Sequence, residues 1–174
     1  MLDTQSETDF RIIYEKIMNI IYRVAYNVTK NREIAEDICH DCLIKMTEKK
    51  MIFPSIDDAK YWLIRVVRNA SLNYVKKLLR EKKAYQKAFK ESEKYTIASE
   101  EHVLKDETVQ KVRGAFEKLP ESLKSVLQLK EYTDLNYKEI GAILGITEGN
   151  VKIRVFRARK RLSKIIGEDD VYLP

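Results

Sequence analysis

Glycine and proline are scarce, five and three in 174 residues. That scarcity speaks against an all-β design, whose tight turns depend on both. No apolar run approaches the ~20 residues that a membrane-spanning helix needs, so membrane insertion is not expected. The opening Met1-Leu2-Asp3-Thr4-Gln5-Ser6-Glu7 is polar and acidic. An exported protein would open on a basic and then apolar leader, so the chain is expected to stay in the cytoplasm. Two cysteines and two histidines make up the supply of thiols and imidazoles. Cys39 and Cys42 stand in Cys-His-Asp-Cys, but a structural zinc needs about four ligands. With only His40 and His102 to complete a set, the spacing reads as two small buried or half-buried thiols on a helix. No metal and no cofactor are expected. Glu36, Asp37 and Asp41 have neither a second acidic cluster nor a glycine-rich phosphate loop to work with. A metal-dependent nuclease is therefore disfavoured, the chain is expected not to be an enzyme, and no small-molecule substrate is implied.

What is abundant is charge, and it is unevenly placed. The net +6 resolves into a balance of +5 over residues 51–83 and +6 over residues 147–166, with the remainder slightly acidic. Two basic patches far apart in the chain suggest two contacts with a polyanion, and a module that only binds protein fits them poorly.

The rest is helical periodicity, and the expected class is all-α: two small helical domains joined by a flexible linker. Phe10, Ile13, Ile17, Ile20, Ile21, Val24 and Val28 recur at helical spacing over residues 9–29. Lys30-Asn31 breaks the pattern, with Asn31 as a cap. A second helix to about Lys50 carries Ile34, Ile38, Cys42 and Met46 four apart, with Glu33, Glu36, Asp37, Asp41 and Glu48 on its other faces. Residues 51–58, with Phe53-Pro54-Ser55, read as a loop. A third helix over residues 59–83 is expected to pack through Leu63, Val66, Val67, Ala70, Tyr74 and Leu78. Beside that face, Trp62, Arg65, Asn69, Asn73, Lys76 and Arg80 fall within an arc of about 80°. An aromatic ring, a row of amides and a row of cations can stack on bases and neutralise phosphates. Trp62 serves equally well as a half-buried core anchor.

Residues 84–107 lose periodicity, apart from a possible short helix near residues 85–88, and read as the linker. Helices follow from about Thr108 and from Pro120. Next comes the most informative stretch, Asn136 to Ile166. Asn136 with Glu139 has capping-box spacing, and Gly145 permits a sharp stop. Thr147 then caps a longer basic helix. In that helix Val151, Val155, Ala158, Leu162 and Ile165 form one stripe, and Asn150, Arg154, Arg157 and Arg161 lie away from it. From Thr147 to Ile166 seven Lys/Arg, among them Lys152 and Lys160, face a single acid, Glu148. A short helix, a glycine turn and a basic second helix make the helix-turn-helix pattern that enters a DNA major groove. The tail from Gly167 to Pro174 is acidic and reads as loose.

Four stretches in this order, Ala35–Leu43, Tyr61–Ala70, Leu119–Leu127 and Asn136–Leu162, give the chain a resemblance to bacterial sigma factors of the sigma-70 family, in the small extracytoplasmic-function group. The resemblance implies a region 2 domain at 1–83, the linker at 84–107 and a region 4 domain at 108–174. It implies a transcription initiation factor that binds RNA polymerase core and promoter DNA and is a target for an anti-sigma factor. The N-terminal domain would melt the −10 element and the C-terminal domain would read the −35 element. By this resemblance Asp37, Ile38, His40 and Asp41 match the motif that docks on the clamp helices of the polymerase β′ subunit, with His40 and Asp41 where Gln and Glu are usual. Trp62 matches the strand-opening aromatic, followed by Leu63 where larger relatives carry a second aromatic. Residues 53–60 match the segment that captures a flipped base. Lys152, Phe156 and Arg157 match DNA-contact positions, and Ile153 replaces the usual Ser. The alternative is a free-standing helix-turn-helix regulator, which would leave the basic face at 62–80 without a role. Elements one and a half turns of B-DNA apart lie about 50 Å from each other. A flexible 24-residue linker averages about 25–29 Å and reaches about 80 Å at full stretch. A scaffold is therefore needed to hold the two domains at working distance.

Overall fold

A computed structural model describes residues 1–88, 112 and 114–167. Helix α1 (Glu7–Thr29) starts where the Ser6 side chain accepts from the Asp9 amide, and it ends at Lys30 in the left-handed region, φ 56°. Asn31 at once caps α2 (Arg32–Glu48), accepting from the Ile34 amide at 3.1 Å. The Lys30-Asn31 break thus falls where the sequence places it, because both ends are made by local hydrogen bonds. Helix α3 (Ile56–Ala88) is led by Ser55, whose hydroxyl accepts from the Asp58 amide at 3.2 Å and donates to the Asp58 carboxylate at 2.8 Å. It takes in residues 56–58 of the expected loop and runs on through residue 88. The other residues expected in the linker, the helix start at 108–111 and the tail at 168–174 lie outside the described residues.

After a helical segment at 114–117 come α4 (Glu121–Tyr132), α5 (Tyr137–Leu144) and α6 (Glu148–Ile166). In the N-terminal half Ile13, Ile17 and Ile21 of α1 pack with Met46 of α2 and with Leu63, Ile64 and Val67 of α3, all at most 1% exposed. In the C-terminal half Val126 and Leu129 of α4, Ile140 of α5 and Val151 of α6 are buried to the same degree or nearly so. Each such side chain contributes on the order of 1.5–3 kcal/mol by leaving water. The two cores are continuous, because α1 meets α4 and α3 meets α5.

Two further findings differ from the sequence reading. Leu78, expected on the core face of α3, is 52% exposed, whereas Ser71 is fully buried and satisfies its hydroxyl on the Val67 carbonyl at 2.8 Å. The second is a small sheet inside an otherwise helical protein. β1 (Leu2–Asp3) pairs antiparallel with β2 (Ile52–Phe53), Leu2 opposite Phe53. The buried Thr4 fastens this strap, since its amide (3.1 Å) and hydroxyl (2.8 Å) both donate to the Met51 carbonyl. The strap holds the loop before α3 and seats Phe53 against Trp62, ring centroids 5.9 Å apart. Among the described residues no helix is long and apolar enough to cross a membrane.

Candidate nucleic-acid interface

The turn between α5 and α6 is built from backbone groups. Asn136 and Glu139 close a capping box: the Asn136 side chain accepts from the Glu139 amide at 3.0 Å, and the Glu139 carboxylate accepts from the Asn136 amide at 2.6 Å. Gly145 ends α5 in the left-handed region, φ 69°, which only glycine enters freely. Thr147 caps α6 by accepting from the Asn150 amide at 3.3 Å. Gly141, which the sequence reading did not single out, makes the tight crossing possible, since a Cβ there would lie 2.6 Å from the Ile146 carbonyl oxygen.

Val151, Val155 and Ala158 bury one side of α6 beneath α4 and α5, with Leu162 half-buried and Ile165 more open at 36%. Arg159 ties α6 to α4 through Glu131 at 3.0 Å. Lys152 pairs with Glu148 at 2.8 Å and lies 6.0 Å from the centroid of the Tyr137 ring. The Lys152 ammonium holds the Glu148 carboxyl below its ordinary value, through their hydrogen bond. Of the residues expected to read DNA, Asn150, Lys152, Ile153, Phe156, Arg157, Lys160 and Arg161 are exposed, and Arg154 is half-buried on the flank. Among the described residues Arg157, Lys160 and Arg161 have no acidic partner. A capped, rigid helix with uncompensated cations along its outer side can follow a phosphate backbone and present side chains to base edges.

The face on α3 is divided. Trp62 is half-buried against Phe53, whereas Asn69, Asn73, Lys76 and Arg80 are exposed. Arg65 is engaged by the C-terminal half: Nε donates to the Ile143 carbonyl at 3.0 Å, and a second guanidinium nitrogen donates to the Ala142 carbonyl. These carbonyls belong to the C-terminal end of α5, where the helix leaves acceptors unpaired and its dipole favours a cation. One turn on, Arg68 donates to the Ser125 hydroxyl and lies 3.4 Å from the Glu121 carboxylate. Burial pulls the Arg68 guanidinium below its ordinary pKa, and Glu121 offsets part of that. One turn back, the Tyr61 hydroxyl donates to Glu139 at 2.5 Å, so one carboxylate caps α5 and also joins the halves. Burial, with this hydrogen bond, pushes the Tyr61 phenol well above its ordinary value. Tyr61, Arg65 and Arg68 thus form one line, i, i+4, i+7, along α3. The sequence reading named only the middle residue, and as a DNA ligand. Below the line an open groove of about 330 Å³ is bordered by Arg65, Arg68, Asn69 and Gly145.

On α2, Asp37, His40 and Asp41 are exposed and Ile38 beneath them is buried. Ile44, 53% exposed, extends the row i, i+4, i+7 from Asp37. Cys39 and Cys42 are buried free thiols on the opposite side.

Comparison with known proteins agrees with this architecture. The profile described as "Sigma-70 region 2" matches residues 13–81, and that described as "Sigma-70, region 4" matches residues 110–162. The ECF RNA polymerase sigma factor SigM of Bacillus subtilis is 31% identical over 155 residues, spanning 88% of this chain and 92% of that protein. The RNA polymerase sigma-H factor of Pseudomonas aeruginosa is 27% identical, spanning 87% of this chain and 80% of its own. In fold, the chain resembles the sigma factor RpoE of Bartonella quintana, solved in complex with the anti-sigma factor NepR: TM-score 0.66 and 24% identity, over 94% of this chain and 99% of that one. With a region 2 and a region 4 in order and a relative matched nearly end to end, the chain belongs to the extracytoplasmic-function group of the sigma-70 family, the RNA polymerase sigma factors that direct transcription initiation at promoters.

Proposed function

We propose that this initiation factor divides its work among three surfaces. The outer side of α6, with Asn150, Lys152, Ile153, Arg154, Phe156, Arg157, Lys160 and Arg161, reads the −35 element. The face of α3, with Trp62, Arg65, Asn69, Asn73, Lys76 and Arg80, works on the −10 element. Asp37, His40 and Asp41 dock on the polymerase clamp helices, with Ile38 supporting them from the core. In this reading the functional units are 1–83 and 108–174, joined by 84–107. The protein acts in the cytoplasm and catalyses nothing itself, because the polymerase supplies the chemistry. An anti-sigma factor is its expected antagonist, as the Bartonella quintana relative solved with one suggests.

The observation that supports this reading best is the outer side of α6, where exposed cations without acidic partners line a helix seated behind a capped glycine turn. Arg157→Ala tests it. The variant should lose about 10–100-fold in −35-dependent promoter binding, the worth of one base-edge contact, while binding core polymerase as tightly as wild type. An equal loss of both overturns the assignment. Tight, sequence-specific duplex binding without polymerase would instead favour a free-standing regulator.

A further inference from the structure

In the N-terminal half of α6 the centre of the outward side is not basic, and Lys160 takes that direction only one turn beyond Phe156. At 100° per residue, the direction opposite the buried Val151–Val155–Ala158 stripe falls between Ile153 and Phe156, which are about 60° apart. Ile153 is 48% exposed and Phe156 65% exposed. Single exposed apolar residues are commonplace, but two large ones side by side in the middle of a charged face form a patch that calls for a partner. Lys152, Arg157 and Lys160 surround the pair, and the one nearby acid, Glu148, is already matched to Lys152. Gly149, one turn before Ile153, leaves open space, since nothing lies within 4 Å of where its Cβ would stand. The backbone can therefore approach a surface closely at the N-terminal end of the helix, the end that meets base edges in this motif.

We propose that Ile153, beside Phe156, reads a thymine 5-methyl group in the −35 element. The inference rests on the assignment of α6 as the −35 reader and adds what it reads. A cationic rim selects a polyanion, and the apolar centre must then meet something apolar within it. On the major-groove edge of DNA the one large apolar group is the thymine methyl; the other groups that tell the bases apart there are hydrogen-bond donors or acceptors. Isoleucine has no hydrogen-bonding group, so it cannot tell guanine from adenine by their edges. It can prefer thymine to cytosine, and thymine to the same base without its methyl.

The test uses holoenzyme assembled from the full chain and core polymerase, on a promoter first located by run-off transcription and footprinting. Each thymine of the protected −35 segment, on either strand, is replaced in turn by deoxyuridine, which keeps every hydrogen bond and removes only the methyl. Wild type should lose about fourfold in affinity at one or two positions, the worth of one buried methyl. Ile153→Ser should bind the thymine and uracil duplexes equally at one of those positions, and Ile153→Val should keep most of the difference. Indifference of wild type to uracil at every position, with the −35 footprint intact, overturns the proposal and leaves the −35 assignment standing. Absence of any −35 footprint overturns both. Indifference to uracil combined with self-association that Ile153→Ser abolishes assigns the patch to a second copy of the chain and overturns the proposal as well.

Discussion

Gly141 and the two cysteines show how much of this protein is decided one side chain at a time. A Cβ at Gly141 would sit 2.6 Å from the Ile146 carbonyl, and that oxygen belongs to the turn itself, so it cannot swing aside as a flexible side chain would. Gly141→Ala is expected to destabilise the C-terminal half by about 1–3 kcal/mol, the range for forcing atoms into a packed site. Urea unfolding followed by circular dichroism measures it. Gly145→Ala, strained through its φ of 69° but with open space around it, is expected to cost less, about 1 kcal/mol. Cys39 and Cys42 are 0% and 2% exposed. Burial pushes their thiols up to about 12 and about 11. Thiolate is the reactive form, so native protein at pH 8 should titrate with no thiol against a disulfide reagent, and two should appear on denaturation. The pH dependence has a definite sign. Above the ordinary value of 9 the unfolded chain releases protons that the folded protein keeps. The thiols' contribution to stability is therefore complete below pH 9 and is lost as the pH rises through 11 to 12.

The helices themselves were largely legible, and the reason is locality. Asn31, Asn136, Gly145 and Thr147 each make or break a helix through groups within four residues, so their effect is written in adjacent letters. The β1–β2 strap was not legible, because two residues at the N-terminus pair with two some fifty positions later and neither pair has a strand-length pattern. Leu78 was misplaced because helical period alone continues the core face of α3 past the point where anything covers it. The partners of Tyr61 and Arg65 were illegible for the same reason as the strap: they lie more than seventy residues away. The acids of α2 and the arginines of α6 followed from period and charge, whereas His40, Ile153 and Phe156 were named through the family resemblance. The exception is Ile38, which the motif groups with its exposed neighbours and the fold buries. For α2 the expectation is that Asp41→Arg, a charge reversal at an exposed position, lowers affinity for core polymerase at least tenfold, as loss of a matched interfacial charge with like-charge repulsion requires. Unchanged affinity in a pull-down or fluorescence titration would remove α2 from that interface.

At the scale of the whole molecule, the two halves are held together by a line of polar contacts from α3 and by the apolar meeting of α1 with α4. The outer sides of α2 and α6 stay uncovered in this arrangement, whereas Arg65, on the face proposed for the −10 element, is engaged. Tyr61→Phe combined with Arg68→Met removes hydrogen bonds to Glu139, Ser125 and Glu121 without shrinking the side chains much. The double variant is expected to open the molecule, seen as a larger radius of gyration in small-angle X-ray scattering, with unchanged thermal unfolding of each half. An unchanged radius would mean that Arg65 and the apolar contacts suffice to keep the halves together. Because the Tyr61 phenol is held far above its ordinary value, it stays protonated through pH 10. Its bond to Glu139 is therefore present below pH 10 and fails only in stronger alkali.

With the role proposed for it on the −10 element, Arg65 faces a competitor inside its own chain. Its guanidinium already satisfies the carbonyls that end α5, so while the halves stay together a phosphate or base has to displace a helix terminus before it can recruit the side chain. Every candidate site faces the same rival at the same effective concentration, and the rival is indifferent to sequence. A single arginine placed in this way lowers the affinity of the compact chain for all DNA alike, and that cost disappears once a scaffold draws the halves apart.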